Sequence, residues 1–163
     1  MHVIIDGYNL IMTSTEYGAT LGKGMKKARR GLINDLIGYR KVRGHAVTVV
    51  FDATEAGGVE RGVESDGGIN IIFSKKNERA DDIIVELVQK TAGIERVVVT
   101  SDKAVGRASG RRGAAVISSE GFIEKMEEAM NPEGEEGEED EDGRGRDKSH
   151  RSMGRAGASL QKL

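Results

Sequence analysis

Five short runs rich in β-branched residues, HVIID at 2–6, AVTVVF at 46–51, INIIF at 69–73, RVVVT at 96–100 and AAVIS at 114–118, punctuate the first 120 residues. Each is too short for a stable helix and too uniformly apolar for a strand with one wet face, which is the pattern of a strand buried on both sides. The segments between several of them carry helical spacing instead. From about Lys23 to Arg43, Met25, Ala28, Leu32, Ile33, Leu36, Ile37 and Tyr39 mark an apolar stripe, with Lys26, Lys27, Arg29, Arg30, Arg40 and Lys41 on a basic outer face. Arg79 to Thr91 places Ile83, Ile84, Leu87 and Val88 inward, a short helical turn follows Asp102, and Ser119 is expected to cap a last helix bearing Phe122, Ile123 and Met126. Strands alternating with helices imply an α/β domain whose sheet, about five strands and mostly parallel, is covered on both faces. The stretch EAGGVERGVESDGG at 55–68 is too polar for core and is expected to be a loop.

Length and composition bound the chemistry. A chain of 163 residues supplies one core and no room for a second catalytic domain. With no cysteine, and with His2, His45 and His150 scattered, neither a disulfide framework nor a zinc-type spacing exists. No run of about 18 apolar residues and no basic leader occurs, so the expected location is cytoplasmic. The net charge of −2 hides a sharp division at Pro132, the only proline. Residues 133–142 are eight acids and two glycines, and residues 143–163 carry six Lys or Arg against one Asp. Taking these from totals of 27 acids and 25 bases leaves 18 and 19 in residues 1–132, a nearly neutral body. A domain over 1–131 followed by a disordered acidic then basic tail over 132–163 is the expectation, because dense like charge with little apolar surface cannot offset chain entropy. The tail is either a solubilising extension or a segment whose acids compete with a polyanion for the basic face or whose basic end contacts that polyanion.

In a parallel sheet, ligands bind beyond the carboxyl ends of the strands. Asp6, Asp52 and Asp102 follow the first, second and fourth runs, and Asp81 opens a helix, so residues remote in sequence would converge on one edge. Carboxylates brought together repel unless one is protonated or a divalent cation lies between them. Asp6, Asp81 and Asp102 are the candidate metal ligands. Asn9 and Ser101 could position water or phosphate, Asp82 points about 100° away from Asp81 and has a supporting role, and Asp52 either touches the site or caps the glycine-rich loop. The alternative for Asp6-Gly7 is a helix cap and a turn. Lys75, Lys76, Arg79, Lys103, Arg107, Arg111 and Arg112 lie near the acids in sequence and suit a threaded polyanion. Only Tyr8, Tyr17 and Tyr39 are at hand for base stacking, so weak base specificity is expected. A haloacid-dehalogenase-type phosphatase would need a second acid where Tyr8 stands, and a response-regulator receiver would need its acid after the third strand, where Ser74-Lys75-Lys76 follows.

Together DGYNLI at 6–11, VVFDA at 49–53, IIFSKKNERADD at 71–82 and VVTSD at 98–102 resemble the NYN domain, most closely its YacP-like branch in the PIN-like nuclease superfamily. The resemblance runs through residues 1–130. It implies a PIN-like three-layer fold and a Mg²⁺- or Mn²⁺-dependent endoribonuclease whose acidic site falls on Asp6, Asp81 and Asp102, supported by Asn9 and Asp82. It also implies RNA as substrate and the ribosome as a partner, since YacP-like proteins include a ribosome-associated messenger RNA endonuclease. Related NYN nucleases often carry another acid within four residues after Ser-Asp, where this chain has Lys103-Ala104-Val105-Gly106. That departure implies a poorly held second metal and slow turnover, and it keeps open an RNA- or ribosome-binding module with little catalysis.

Overall fold

The computed structural model describes residues 1–53, 57–132 and 155–163. In chain order its elements are β1 (His2–Asp6), α1 (Gly7–Thr13), α2 (Thr15–Leu21), α3 (Met25–Arg43), β2 (Ala46–Phe51), β3 (Gly62–Asp66), β4 (Ile69–Phe73), α4 (Ala80–Lys90), β5 (Arg96–Val99), α5 (Lys103–Arg111), β6 (Ala115–Ile117), α6 (Ser119–Met130) and α7 (Arg155–Gln161). The strands form one sheet in the order β3-β4-β2-β1-β5-β6. All pairings are parallel except β3 with β4. The expected mixed α/β fold with a mostly parallel sheet is therefore present, with six strands rather than five.

The additional strand, β3, lies inside the glycine-rich stretch expected to be a loop. Its residues GVESD are mostly exposed because it is an edge strand, and a strand wet on both faces has no apolar run to betray it. Gly67 and Gly68, at φ 55° and 84°, make the tight turn into β4. Helix α2 went unforeseen, and α1 entered only as the helix that Asp6 would cap in the alternative reading: each has seven residues, too few to display a helical period. Ser118, not Ser119, caps α6, its hydroxyl accepting from Gly121 N.

Side-chain alternation along the strands sorts the core into two layers. Val3, Ile5, Val47, Val49, Val97 and Val99 face α1, α3 and α6, together with Leu32, Leu36 and Phe122. Ile4, Val50 and Val98 face the other way, with Ile83, Ile84 and Val88 of α4 and Val105 of α5. This three-layer arrangement brings the carboxyl ends of β1, β2, β4, β5 and β6 to one edge. The chain winds outward from β1 through β2 to β4, then crosses back by α4 to β5 on β1's other side, so the switch in strand order falls at β1.

The expectation of a disordered segment over 132–163 does not hold at its end. Residues 133–154, with the acidic block and most of the basic one, lie outside the described residues. Residues 155–161 form α7, and Leu163 is 2% exposed in the larger core layer. Arg43 Nε donates to the Leu163 carbonyl at 3.1 Å, and Lys162 pairs with Glu95 at 2.9 Å. The charged spacing of the terminal residues hid Leu160 and Leu163, which find their apolar partners only in three dimensions. Among the described residues no helix is long and apolar enough to cross a membrane.

Candidate acidic site

Asp6 is the last residue of β1, at the switch in strand order, and only 8% exposed. It occupies the cap position of α1 yet makes no side-chain cap hydrogen bond, so capping does not account for it. Its Oδ2 instead accepts from the Thr100 hydroxyl at 3.0 Å. Parity explains the meeting: Asp6 continues the face of Ile4, Thr100 that of Val98, and Asp52 that of Val50, all toward α4 and α5. Gly7 makes the abrupt turn possible, since a Cβ there would lie 2.3 Å from the Phe51 ring. Burial pushes the Asp6 carboxyl up to about 6; the Thr100 hydrogen bond opposes this, and the charges of Asp81, Asp52 and Asp102 add to it. Three of the acids singled out in the sequence are thus within electrostatic reach of a fourth.

Each of the others has a local anchor. Asp52 Oδ1 accepts from Ala80 N at 2.6 Å, which ties the end of β2 to the start of α4 and satisfies an otherwise orphaned helix donor. Asp81, one residue into α4, has its pKa raised by burial, with Arg79 opposing at 3.7 Å and Asp102 and Asp52 adding to the rise. Asp82 is exposed and bears on the site only through its charge on Asp81. Asp102 caps α5, its Oδ1 accepting from Ala104 N and Val105 N at 2.9 and 3.1 Å.

Asn9 Oδ1 accepts from Ser101 N at 2.8 Å and from the Ser119 hydroxyl at 2.7 Å, which binds α1, the β5 end and α6 to one another. Ser101 was expected to position water or phosphate. Its hydroxyl instead donates to Glu120 Oε2 at 2.9 Å and accepts from Ser119 N. The residue that reaches Asp102 is Thr100, whose Oγ1 accepts from Asp102 N at 3.1 Å while bonding Asp6. Thr100 and Glu120 are the residues sequence reasoning missed. Thr100 stood in the quoted TSD tripeptide, hidden because its position reads as strand. Glu120 looks like a first-turn helix acid, and only the fold carries it back, across 19 positions, to Ser101.

The groove beside Asp102, about 570 Å³, is lined by Thr100, Ser101, Asp102, Lys103, Arg107 and Glu120. Lys103 and Arg107 thus line the same groove as Asp102 and Glu120. Arg111 is exposed at the last turn of α5, and the Arg112 guanidinium turns back onto the Ala108 carbonyl at 2.8 Å. Lys75 and Lys76 are exposed in the β4–α4 connection, where Arg79 is engaged with Asp81.

The donor set is all oxygen, hard and mutually repulsive, which is the chemistry of a Mg²⁺- or Mn²⁺-type site. Among the described residues, however, no three acidic or histidine side chains stand close enough to hold an ion as they are. The match is one of donor chemistry and charge. Asp81, about one-third exposed, has room to turn.

A family model described as the YacP-like NYN domain matches residues 3–163, beyond the 1–130 span of the motifs and including α7. The protein YacP of Bacillus subtilis (strain 168) is 31% identical over 127 residues, which is 77% of this chain and 74% of that one. Among solved structures, Rae1 (YacP) from Bacillus subtilis aligns with a TM-score of 0.70 at 28% identity, covering 82% of this chain and 78% of that one. A point mutant of the same protein aligns with a TM-score of 0.69 at 27% identity, over 81% and 77% of the two chains.

Proposed function

The chain belongs to the YacP-like NYN family of PIN-like nucleases, and from that premise we propose that it is a metal-dependent endoribonuclease that hydrolyses RNA phosphodiester bonds. The observation that carries this is Asp6: a carboxylate in a cap position that does not cap, whose pKa burial and then three further acids push up to about 6. Holding such a group ionised costs stability, a cost that a bound cation offsets.

In this reading Asp6, Asp81 and Asp102 hold Mg²⁺ or Mn²⁺. The ion supplies, when bound, a more acidic water and charge compensation at the phosphoryl oxygens. The chain's own residues do the rest. Thr100 fixes the rotamer of Asp6 and the backbone at Asp102; Asp52 fixes the start of α4 and so the position of Asp81. Asn9 and Ser119 hold Ser101, and Ser101 holds Glu120, the nearby acid that the residues after Ser-Asp do not provide. Glu120 weakens the case for a purely binding module, which rested on that missing acid. Lys103 and Arg107 neutralise the RNA backbone along the groove. The proposed substrate is single-stranded RNA, with messenger RNA on ribosomes as the specific form that the family resemblance suggests.

The test is to sequence the 5′ ends produced from total RNA, with and without ribosomes, by the wild type, Asp6→Asn and Asp102→Asn in Mn²⁺ or EDTA. Asn caps helices about as well as Asp, so Asp102→Asn removes charge and keeps α5. New ends are expected from the wild type in Mn²⁺ alone. Undiminished cleavage by either variant would remove the mechanism.

A further inference from the structure

Beside the acids, on the β2–β4 side, a cleft of about 420 Å³ is lined by residues that include Tyr8, Arg29, Asp52, Glu60, Phe73 and Ser74. We propose that this cleft is a base-binding subsite that takes the nucleobase of the RNA nucleotide next to the cleaved bond, an inference resting on the nuclease reading above.

The chain has three Tyr and three Phe and no Trp. Tyr17, Tyr39, Phe51 and Phe122 are buried, so the stacking role expected of Tyr17 and Tyr39 is closed to them. Tyr8 and Phe73 are the two partly exposed aromatics, and both face this one cleft. Buried Phe51 sets their spacing, at 4.9 Å from the Tyr8 ring centroid and 5.5 Å from that of Phe73. Arg29 completes the wall: its guanidinium lies 5.5 Å from the Phe73 centroid and donates to the Tyr8 hydroxyl at 2.9 Å. Among the described residues no carboxylate pairs with Arg29, whereas Arg30 pairs with Asp66, and Arg61 with Glu78 and Glu86. Flat π surfaces beside a flat cation that no carboxylate ties down in an ion pair are how unpaired bases are held on proteins, and a cleft of this size admits a small organic ring system.

Position ties the cleft to the chemistry. Tyr8 follows Asp6 by two residues, and Asp52 lines the cleft while its charge bears on Asp6. A backbone whose phosphate lies at Asp6 would place a neighbouring base here, giving the domain a base contact where its composition suggested little.

The test uses the full chain and single-stranded RNA oligonucleotides with an abasic residue walked across a mapped cleavage site. Binding is measured in EDTA by fluorescence anisotropy, and cleavage separately in Mn²⁺. For unaltered protein, an abasic residue beside the cut bond is expected to weaken binding about tenfold. Tyr8→Leu and Phe73→Leu, which retain apolar bulk, are expected to weaken intact RNA by a similar factor and leave the abasic RNA unchanged. If RNA is cut but no abasic position matters, or both variants weaken intact and abasic RNA alike, the subsite is wrong and the nuclease stands. If no RNA is bound or cut, the underlying reading falls and the subsite with it. Because the abasic series uses the native protein, it still decides for or against the subsite when a variant fails to fold.

Discussion

The Asp6 carboxyl carries a measurable consequence independent of any substrate. An ordinary Asp titrates near 3.8, and burial with acidic neighbours lifts this one to about 6 in the folded chain. Between those values the folded state holds a proton the unfolded state has lost, so stability from this group falls as pH rises from about 4 to 6 and stays low above. A rise of that size corresponds to roughly 3 kcal/mol at most. Asp6→Asn keeps an acceptor for Thr100 and loses the charge, so metal-free Asp6→Asn protein is expected to be up to roughly 3 kcal/mol more stable than wild type at pH 7 by denaturant unfolding. That advantage should vanish near pH 4. Equal stabilities at pH 7 would mean that the carboxylate is not under the strain inferred for it. The difference between the two proteins is the quantity to follow, because Glu78 and Glu86, held below the usual carboxylate range by Arg61, shift acid stability in both alike.

Among the elements, α7 has the least support in its own sequence and a definite place in the fold. Seven residues do not hold a helix in water, so its stability must come from packing against β5 and β6. Leu163 enters the larger core layer, and the Leu163 and Lys162 carbonyls receive Arg43 Nε at 3.1 Å and a His45 ring nitrogen at 2.9 Å. Leu163→Ala is expected to cost about 2–3 kcal/mol, near the low end for buried leucines. Its thermal midpoint would fall by several degrees, with the acidic site untouched on the opposite edge of the sheet. A midpoint equal to that of wild type would show that α7 adds nothing to the domain. Similar reasoning applies to α4, whose first donor is satisfied by Asp52, just past the end of β2, and not by its own cap residue Arg79.

At the scale of the whole molecule, the charged block at 133–142 is tethered at both ends: α6 precedes it and α7 follows. Removing everything after 132 would therefore also remove a packed helix, and an internal deletion of 133–142 is the cleaner probe. If those eight acids compete with RNA for Lys103, Arg107 and the basic face of α3, the deletion should raise RNA affinity several-fold at low salt, with the two proteins converging as the Debye length shrinks below about 10 Å. Identical affinities across the salt series would leave the block a solubilising one. Residues 1–132 are nearly neutral and residues 155–163 add only Arg155 and Lys162, so the affinity for RNA depends on where bases cluster more than on net charge.

Period and parity made the parallel strands, the longer helices and the strand-end aspartates legible from the residues alone, because burying a strand on both faces demands an unbroken apolar run and leaving a sheet demands a turn-forming, polar tip. The antiparallel edge β3, the seven-residue helices and the docked α7 were illegible for the converse reason: short or exposed elements owe their structure to neighbours. The same division runs through the site. Which acids stand at the strand ends on one sheet edge followed from the sequence, whereas the Thr100 link between Asp6 and Asp102, the bond from Ser101 to Glu120, the burial of Tyr17 and Tyr39 and the cleft left to Tyr8 and Phe73 were decided by the fold. Hydrogen bonds and ring contacts of a few ångströms between residues remote in sequence, 94 positions for Asp6 and Thr100 and 110 for Asn9 and Ser119, depend on crossover and register, which no local pattern encodes.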